Sequence, residues 1–142
     1  MRDIGLTHVA FSVRDLEASL DFYAVYAGLK PVHRRTSPDG DVRVAWVTDF
    51  TRPFVLVLIE KPGLNDTPLG PFGHLGVACA SRAEVDRLAA LARTQGILRS
   101  EPTDSGPPVG YWANLRDPDG NTVELAHGQH IAFTLEEAAR LD

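Results

Sequence analysis

The feature that most constrains the fold is an internal repeat, whose two copies carry His8 and His74 near their starts. Each copy opens with a stretch in which two faces alternate, as in a β-strand, and its histidine shares a face with small residues. A capped helix and three further strands are predicted to follow in each copy. The pattern therefore predicts an α+β chain of two βαβββ modules rather than a long array of repeats.

The first module is predicted over about residues 5–62. Its first strand is expected from Leu6 to Val13, and Asp15 is predicted to cap a helix that ends at Gly28. Glycine suits this helix end because it adopts the left-handed conformation without a steric cost. The buried stripe of the helix is predicted to contain Leu16, Leu20, Tyr23 and Ala27. Three strands are expected to follow at residues 30–35, 42–48 and 54–60.

The second module is predicted over about residues 73–128, after a linker at 63–72. Ser81 to Glu84 has the pattern of a capping box, which predicts that a helix begins there. The buried stripe of this helix is predicted to contain Val85, Leu88, Ala89 and Ala92. The tail at 129–142 contains another capping box, at Thr134 to Glu137, and is predicted to form a short helix.

After a strand at Ile97 to Glu101, the second module is predicted to end in a hairpin. Its turn is Asp117 to Asn121, where a proline and a glycine favour a tight reversal. The returning strand places Glu124 between Val123 and Leu125. A carboxylate among apolar residues costs several kcal/mol unless it is paired or binds a metal, so Glu124 needs a partner.

His8, His74 and Glu124 are the candidate metal ligands. Two equivalent strands each present an imidazole on a smooth face, and a third strand presents an otherwise unexplained carboxylate. Imidazole and carboxylate suit divalent Fe, Mn, Zn, Ni or Co, and a three-residue set leaves positions open for a substrate or O₂. One divalent ion per site is therefore the predicted cofactor, and its identity stays open.

Composition excludes several other classes of protein. The chain has 142 residues, 44% of them hydrophobic, which is enough for the core of one soluble domain. Its net charge of −5, without a Lys/Arg-rich block, argues against a nucleic-acid or anionic membrane surface. The single cysteine, Cys79, and the lack of a basic and then apolar N-terminal segment predict a cytoplasmic location.

The motifs together resemble the vicinal oxygen chelate superfamily, which includes glyoxalase I, bleomycin- and fosfomycin-resistance proteins, methylmalonyl-CoA epimerase and extradiol dioxygenases. The resemblance covers about residues 5–128 and is carried by residues 6–13, 15–23, 73–77 and 116–125. It implies a curved, barrel-like mixed sheet with the helices outside, around a cleft where His8, His74 and Glu124 fall on the ligand positions. It also implies a homodimer, sometimes with a site shared between subunits.

Two departures from the family pattern limit what the resemblance implies. Glyoxalase I-like members carry a fourth ligand on the fourth strand, where this chain has Val57 or, at the strand's end, Glu60. Glu60 is either a fourth ligand or a solvated charge. Extradiol dioxygenases carry a tyrosine where this chain has Asn114, and a histidine upstream for which residues 107–110 offer no equivalent. A four-ligand glyoxalase I is therefore not expected, and the catalytic residues stay unassigned.

Trp46, Trp112 and Asn114 are the candidate substrate-binding residues, because small-molecule sites combine aromatic walls with a few polar groups. By the family's alternation, Trp112 and Asn114 should share the face of Glu124, while Tyr111 faces the helices. Core packing is an equally good interpretation of Trp46.

The sequence thus predicts a metal-dependent enzyme that acts on a small molecule with neighbouring oxygens, with the metal as a Lewis acid. The reaction is either ring cleavage by a dioxygenase or a lyase or isomerase reaction. The alternative is a protein that binds an antibiotic or another small molecule without catalysis, as bleomycin-resistance proteins do. The substrate, and whether one chain or two build each site, stay open.

Overall fold

The computed structural model describes residues 5–63, 69–70, 72–129 and 131–140. The elements are, in chain order, β1 (His8–Val13), α1 (Leu16–Ala27), β2 (Lys30–Thr36), β3 (Arg43–Thr48), β4 (Val55–Glu60), β5 (His74–Ala78), α2 (Arg82–Thr94), β6 (Leu98–Asp104), β7 (Tyr111–Arg116), β8 (Thr122–His127) and α3 (Ile131–Arg140). The order βαβββ occurs twice, and the predicted α+β class is confirmed. By its contacts the chain divides into two compact units, Met1–Phe72 with Asp117–Asn121, and Gly73–Arg116 with Thr122–Asp142.

The first unit contains a mixed sheet in the order β1-β4-β3-β2. β1 and β4 are parallel, whereas the other two pairs are antiparallel. Phe11, Leu58 and Ala45 form a row across one face and are at most 6% exposed, because α1 packs on this side. The opposite face, which carries His8 and Val57, is called the first open face.

Both ends of α1 are formed as predicted. The Asp15 carboxylate accepts the N–H of Ala18 over 3.1 Å, and Gly28 has a left-handed φ of 64°. Of the predicted stripe, Leu16, Leu20 and Tyr23 are buried, whereas Ala27 is only partly buried. The buried face is wider than expected and includes Ser19, Phe22 and Tyr26.

The turn between β7 and β8 is held by buried carboxylates. Asp117, 1% exposed, accepts the backbone N–H groups of Asp119 and Asn121 and the phenol hydrogen of Tyr23. Asp119 accepts the N–H of Arg14 over 2.8 Å. Burial, and after it the neighbouring Asp117 charge, raise the pKa of Tyr23 far above its ordinary value. The turn predicted from proline and glycine is therefore also fixed by charge.

The second unit contains a mixed sheet in the order β5-β8-β7-β6, built on the same plan. Val85 and Ala89 of α2 pack with Ala113 of β7 in a core cluster, and Tyr111 packs against that cluster. All four residues of the predicted α2 stripe are buried. The face away from this core, which carries His74 and Glu124, is called the second open face.

Three local predictions need correction. Ser81 accepts the N–H of Glu84, but the Glu84 carboxylate pairs with Arg87, so the capping box is only half formed. β6 extends three residues beyond Glu101, because shifts in its register accommodate Pro102, which has no N–H to donate. The final helix begins at Ile131, so Thr134 lies within it and is not its cap.

Candidate functional site

A row of residues in register crosses the first open face. Ala10 pairs with Val57, Val57 pairs with Trp46, and Trp46 pairs with His33. The Trp46 and His33 rings are 4.8 Å apart between centroids, and Trp46 keeps 38% of its surface exposed. His8 precedes Ala10 by two residues and so lies on the same face. Trp46 is thus on the open face and not in the core of the unit.

A cavity of about 530 Å³ lies on this face. Its residues belong to β1, β2, β3 and β4, to the loop between β3 and β4, and to the position before β1. They are Thr7, His8, Val32, Trp46, Thr48, Phe50, Arg52, Pro53, Phe54, Val55 and Val57. Apolar side chains thus surround His8, whose Nδ1 lies 2.9 Å from the Thr7 hydroxyl oxygen.

A second row in register crosses the second open face. Gly76 pairs with Glu124, Glu124 with Asn114, and Asn114 with Ser100. His74 lies two residues before Gly76, so imidazole and carboxylate occupy neighbouring strands on one face. Gly76 contributes no side chain beside the carboxylate, and a Cβ there would lie 4.0 Å from Oε2 of Glu124.

Among the described residues, the Glu124 carboxylate is hydrogen-bonded by a neutral amide. Its Oε2 accepts a hydrogen bond from the side-chain amide of Gln129 over 3.0 Å. Oδ1 of Asn114 is buried and accepts no hydrogen bond from the part of the chain that the structure describes. The Trp112 indole lies on the same face and donates to the Ser105 hydroxyl over 2.8 Å. A buried acceptor without a donor marks a place where a ligand can donate a hydrogen bond.

The two open faces correspond to each other strand by strand, and the comparison locates the missing fourth ligand. In each unit, the first strand lies parallel to the last strand. The residue two positions after the histidine of the first strand pairs with a residue of that last strand. The residue found there is Val57 in the first unit and Glu124 in the second. Opposite these positions lie Trp46 and Asn114, so the counterpart of Trp46 is Asn114 and not Trp112.

Glu60 is engaged elsewhere. It lies three residues beyond Val57 and therefore points to the opposite face of β4. Its carboxylate accepts the backbone N–H of Leu16 over 2.6 Å, at the start of α1, and lies 3.5 Å from the guanidinium of Arg43. Glu60 thus caps a helix on the side away from His8.

Among the described residues, no three His, Cys, Asp or Glu side chains lie close enough together to hold one metal ion. The structure places His74 and Glu124 on the second open face and His8 on the first open face. The assignment of these three residues as ligands stays a prediction.

Three residues that contribute to these faces were not predicted from the sequence. Phe50 and Arg52 line the cavity from the loop after β3, which has no strand or helix pattern. Gln129, the partner of Glu124, lies beyond the last predicted strand. The spacing of Asp49 and Thr51 was the available signal for a structured loop, since Asp49 accepts the N–H of Thr51 over 2.9 Å.

This fold has a histidine on the first strand of each module and Glu124 on the last strand of the second module. The combination defines a class of protein. The chain belongs to the Glyoxalase/Bleomycin resistance protein/Dioxygenase superfamily, which residues 5–125 match. It is 38% identical over 128 residues to an uncharacterized protein of Pseudomonas aeruginosa, covering 89% of this chain and 90% of that protein. It is 30% identical over 123 residues to the lactoylglutathione lyase of Neisseria meningitidis, covering 84% of this chain and 88% of that protein. A lactoylglutathione lyase of Arabidopsis thaliana is 31% identical over 125 residues, which are 83% of this chain and 42% of that protein.

Solved structures share the fold. The trypanothione-dependent glyoxalase I of Leishmania major has a TM-score of 0.71 at 22% identity, with 99% of this chain and 96% of that chain covered. A fosfomycin resistance protein of Listeria monocytogenes, in complex with Mn(II), has a TM-score of 0.69 at 18% identity, covering 94% and 99%. An antibiotic binding protein of Streptomyces has a TM-score of 0.65 at 24% identity, covering 89% and 98%. The predicted glyoxalase-like fold is confirmed.

Among the described residues, no helix combines the length and the apolar character needed to cross a membrane.

Proposed function

We propose that this chain is a divalent-metal-dependent enzyme of the glyoxalase and dioxygenase type, acting on a small molecule with neighbouring oxygen atoms. The proposed ligands are His8, His74 and Glu124, and a bound ion would serve as a Lewis acid toward those oxygens. We place the enzyme in the cytoplasm, as a homodimer, on the grounds given for the sequence.

The observation that carries this proposal is the environment of Glu124. Its carboxylate lies half-buried on the second open face beside the strand of His74, and its described partner is the neutral amide of Gln129. A partly desolvated carboxylate without a cation is costly, and a divalent ion would remove that cost. Gly76 contributes no side chain beside the carboxylate. The donors present therefore fit a metal such as Fe, Mn, Zn, Ni or Co.

We further propose that two chains build each site. The described part of one chain groups no three suitable donors, and the first open face contributes one of the predicted ligands, His8, beside the apolar Val57. The second open face contributes His74 and Glu124. In a twofold dimer, the first open face of one chain would meet the second open face of its partner, which would complete both sites at once.

The side chains around these donors have separate roles in the proposed reaction. The apolar wall around Trp46 would hold the body of the substrate and exclude water from the reacting oxygens. The buried Oδ1 of Asn114 would accept a hydrogen bond from a hydroxyl or N–H group of the substrate. Trp112 and Asn114 would thereby orient the substrate from the side of Glu124.

Two lines of support bear on the reaction type. Relatives at about 30% identity are named lactoylglutathione lyase, which favours lyase or isomerase chemistry on a carbonyl compound. Val57 weighs the other way, because glyoxalase I-like members carry a fourth ligand at its place, and it leaves a three-residue set with Glu124 as the carboxylate. On the names of the relatives we propose a lyase or isomerase with a reduced ligand set, and ring cleavage by a dioxygenase is the alternative.

A non-catalytic binding protein is the second candidate, and the apolar cavity is the observation that favours it. A cavity of about 530 Å³ beside Val57 would hold an aromatic compound without a metal. The fold is shared with an antibiotic binding protein of Streptomyces. This candidate predicts ligand binding that chelators do not affect.

Elemental analysis of untagged protein tests the proposal. We expect about one divalent ion per chain, lost in His74→Ala and Glu124→Ala and retained in Glu101→Ala. Glu101 is a suitable control because it is an exposed carboxylate paired with Arg93. Protein that takes up no metal after reconstitution would overturn the catalytic proposal and favour the binding protein.

Mixing two inactive variants tests whether the site is shared. Chains of His8→Ala and His74→Ala each lack one ligand, so each homodimer should bind no metal. In a heterodimer with shared sites, one site lacks both residues and the other is intact, so about one ion should bind per heterodimer. Sites built within single chains would stay empty in every combination, which would refute the shared arrangement.

A further inference from the structure

We propose that the cavity on the first open face selects an aromatic anion, with Trp46 and Phe50 holding the ring and Arg52 holding the acidic group. This inference deepens the proposed function by naming the substrate class of the same site. It concerns binding through one unit, so it can be tested without a metal.

The size and lining of the cavity suit a molecule of this kind. A volume of about 530 Å³ lies within the usual range for small-molecule sites. Its walls are mostly apolar, and three aromatic rings contribute to them. These rings belong to Trp46, Phe50 and Phe54. A flat apolar body would gain the most from such a surface.

Phe50 is held in an unfavourable backbone conformation that its own packing does not explain. Its φ is 62°, whereas the other positive φ values of the described residues belong to glycines. Phe50 is 69% exposed. A positive φ has a steric free-energy cost for a bulky residue, and glycine would adopt it without that cost. An exposed phenylalanine that is kept at such a position at the rim of a cavity indicates a contact made by a ligand.

The loop that carries Phe50 is fixed by side-chain hydrogen bonds. The Thr48 hydroxyl donates to the carbonyl of Phe54 over 2.9 Å and accepts the N–H of Phe50 over 3.2 Å. The Asp49 carboxylate accepts the N–H and the hydroxyl of Thr51, and these bonds lower the pKa of Asp49. The ring of Phe50 is therefore presented by a structured loop, so a ligand would meet it at little cost in entropy.

Arg52 supplies the positive charge of the cavity. The lining includes no aspartate or glutamate, although the chain as a whole carries a net charge of −5. The Arg52 guanidinium lies 5.7 Å from the centre of the Phe54 ring, and no carboxylate of the described residues lies at ion-pair distance from it. The nearby Asp49 carboxylate is hydrogen-bonded by Thr51, and the positive charge of Arg52 also helps to lower its pKa. This attraction stops short of an ion pair, so Arg52 is available to the acidic group of a ligand.

Two fluorescent probes that differ in one group test the inference. Anilinonaphthalene sulfonate carries the ring system and an anion, and N-phenylnaphthylamine carries the same rings without the sulfonate. We expect Arg52→Gln to lower the ratio of the two affinities about fivefold, the upper end for an exposed ion pair. Arg140→Gln, which changes an exposed arginine outside the cavity lining, should leave the ratio unchanged. An unchanged ratio in Arg52→Gln would overturn the role of Arg52.

A second set of variants tests Phe50. We expect Phe50→Gly to bind both probes about tenfold more weakly while its urea midpoint rises, because the ring contact and the backbone strain are lost together. Phe72→Ala removes another exposed phenylalanine and should bind both probes like the wild type. Equal weakening in Phe72→Ala would show adsorption to apolar surface and would refute the cavity as the site.

The same titrations separate this inference from the metal proposal. Wild-type protein stripped of metal by a chelator should still bind anilinonaphthalene sulfonate, since no residue of the cavity is altered. Probe binding that vanishes in the metal-free protein would refute a binding site within the first unit. Absence of metal in the wild type, with probe binding intact, would refute the catalytic proposal alone.

Discussion

The hydrogen bond between Tyr23 and Asp117 should contribute measurably to stability. The phenol hydrogen of Tyr23 is donated to Oδ2 of Asp117 over 2.7 Å, and each residue is 1% exposed. Tyr23→Phe removes the hydroxyl and keeps the ring, whose centroid lies 5.0 Å from that of Phe22. A buried hydrogen bond to a charged group contributes about 1.5–3 kcal/mol, so we expect a loss of about 2 kcal/mol. The remaining bonds to Asp117, from Asp119 and Asn121, should limit the loss to that range.

Urea denaturation near pH 7 measures this loss. With a slope of about 2 kcal/mol per molar urea, the midpoint of Tyr23→Phe should fall by about 1 M. Tyr111→Phe is the matched control, because its hydroxyl donates to the exposed Asp86 and such surface bonds contribute little. Equal midpoint shifts in the two variants would refute the reasoning, since burial would then make no difference.

The pH dependence of the same pair of proteins provides a second test. Burial and the Asp117 charge raise the pKa of Tyr23 in the folded state above the ordinary value of about 10. The unfolded chain therefore releases this proton first, so the stabilisation is complete below about pH 10 and declines as the pH rises further. The difference in unfolding free energy between wild type and Tyr23→Phe should narrow above about pH 10. A constant difference up to about pH 11 would contradict the raised pKa.

Three further substitutions test local features by urea denaturation. Gly110→Ala should cost about 3 kcal/mol or more, because its φ is 85° and a Cβ would lie 2.5 Å from the carbonyl oxygen of His127; a loss below about 1 kcal/mol would contradict this. Glu60→Ala should cost about 1 kcal/mol through the lost cap on Leu16 and leave metal content unchanged, whereas a loss of metal would restore Glu60 as a ligand. Ser81→Ala should cost about 1 kcal/mol, because the first turn of α2 loses a hydrogen-bond acceptor, and an unchanged midpoint would refute that role.

The fold was largely predictable because its signals are local and occur twice. Alternation predicted the strands, and cap residues such as Asp15 and Gly28 predicted the limits of α1. The errors arose where two local contacts compete or where a neighbouring strand decides the outcome. The Glu84 side chain could complete the capping box or pair with Arg87, and only the folded geometry selects the second. The continuation of β6 past Pro102 depends on its register with β7, which no local pattern encodes.

The candidate site was predictable to the level of strand faces. Alternation correctly placed Asn114 and Trp112 on the face of Glu124 and turned Tyr111 toward α2. It did not predict that Asn114 is the counterpart of Trp46, because the correspondence between the units follows from sheet register and not from spacing along the chain. The contribution of Phe50 was hidden as well, since a side chain on an irregular loop has no periodicity by which to be recognised.

Val57 pairs with Ala10 in the first unit as Glu124 pairs with Gly76 in the second. This correspondence has a consequence for how such proteins diverge. One substitution at Val57, which is a single base change from two of the four valine codons, separates the proposed donor set from one with a second carboxylate. Descendants of one duplicated ancestor could therefore gain or lose that donor without passing through a different fold. The two halves of the chain share the order of their strands and helices. They differ in whether the last strand carries a carboxylate, and this difference depends on one position of β4.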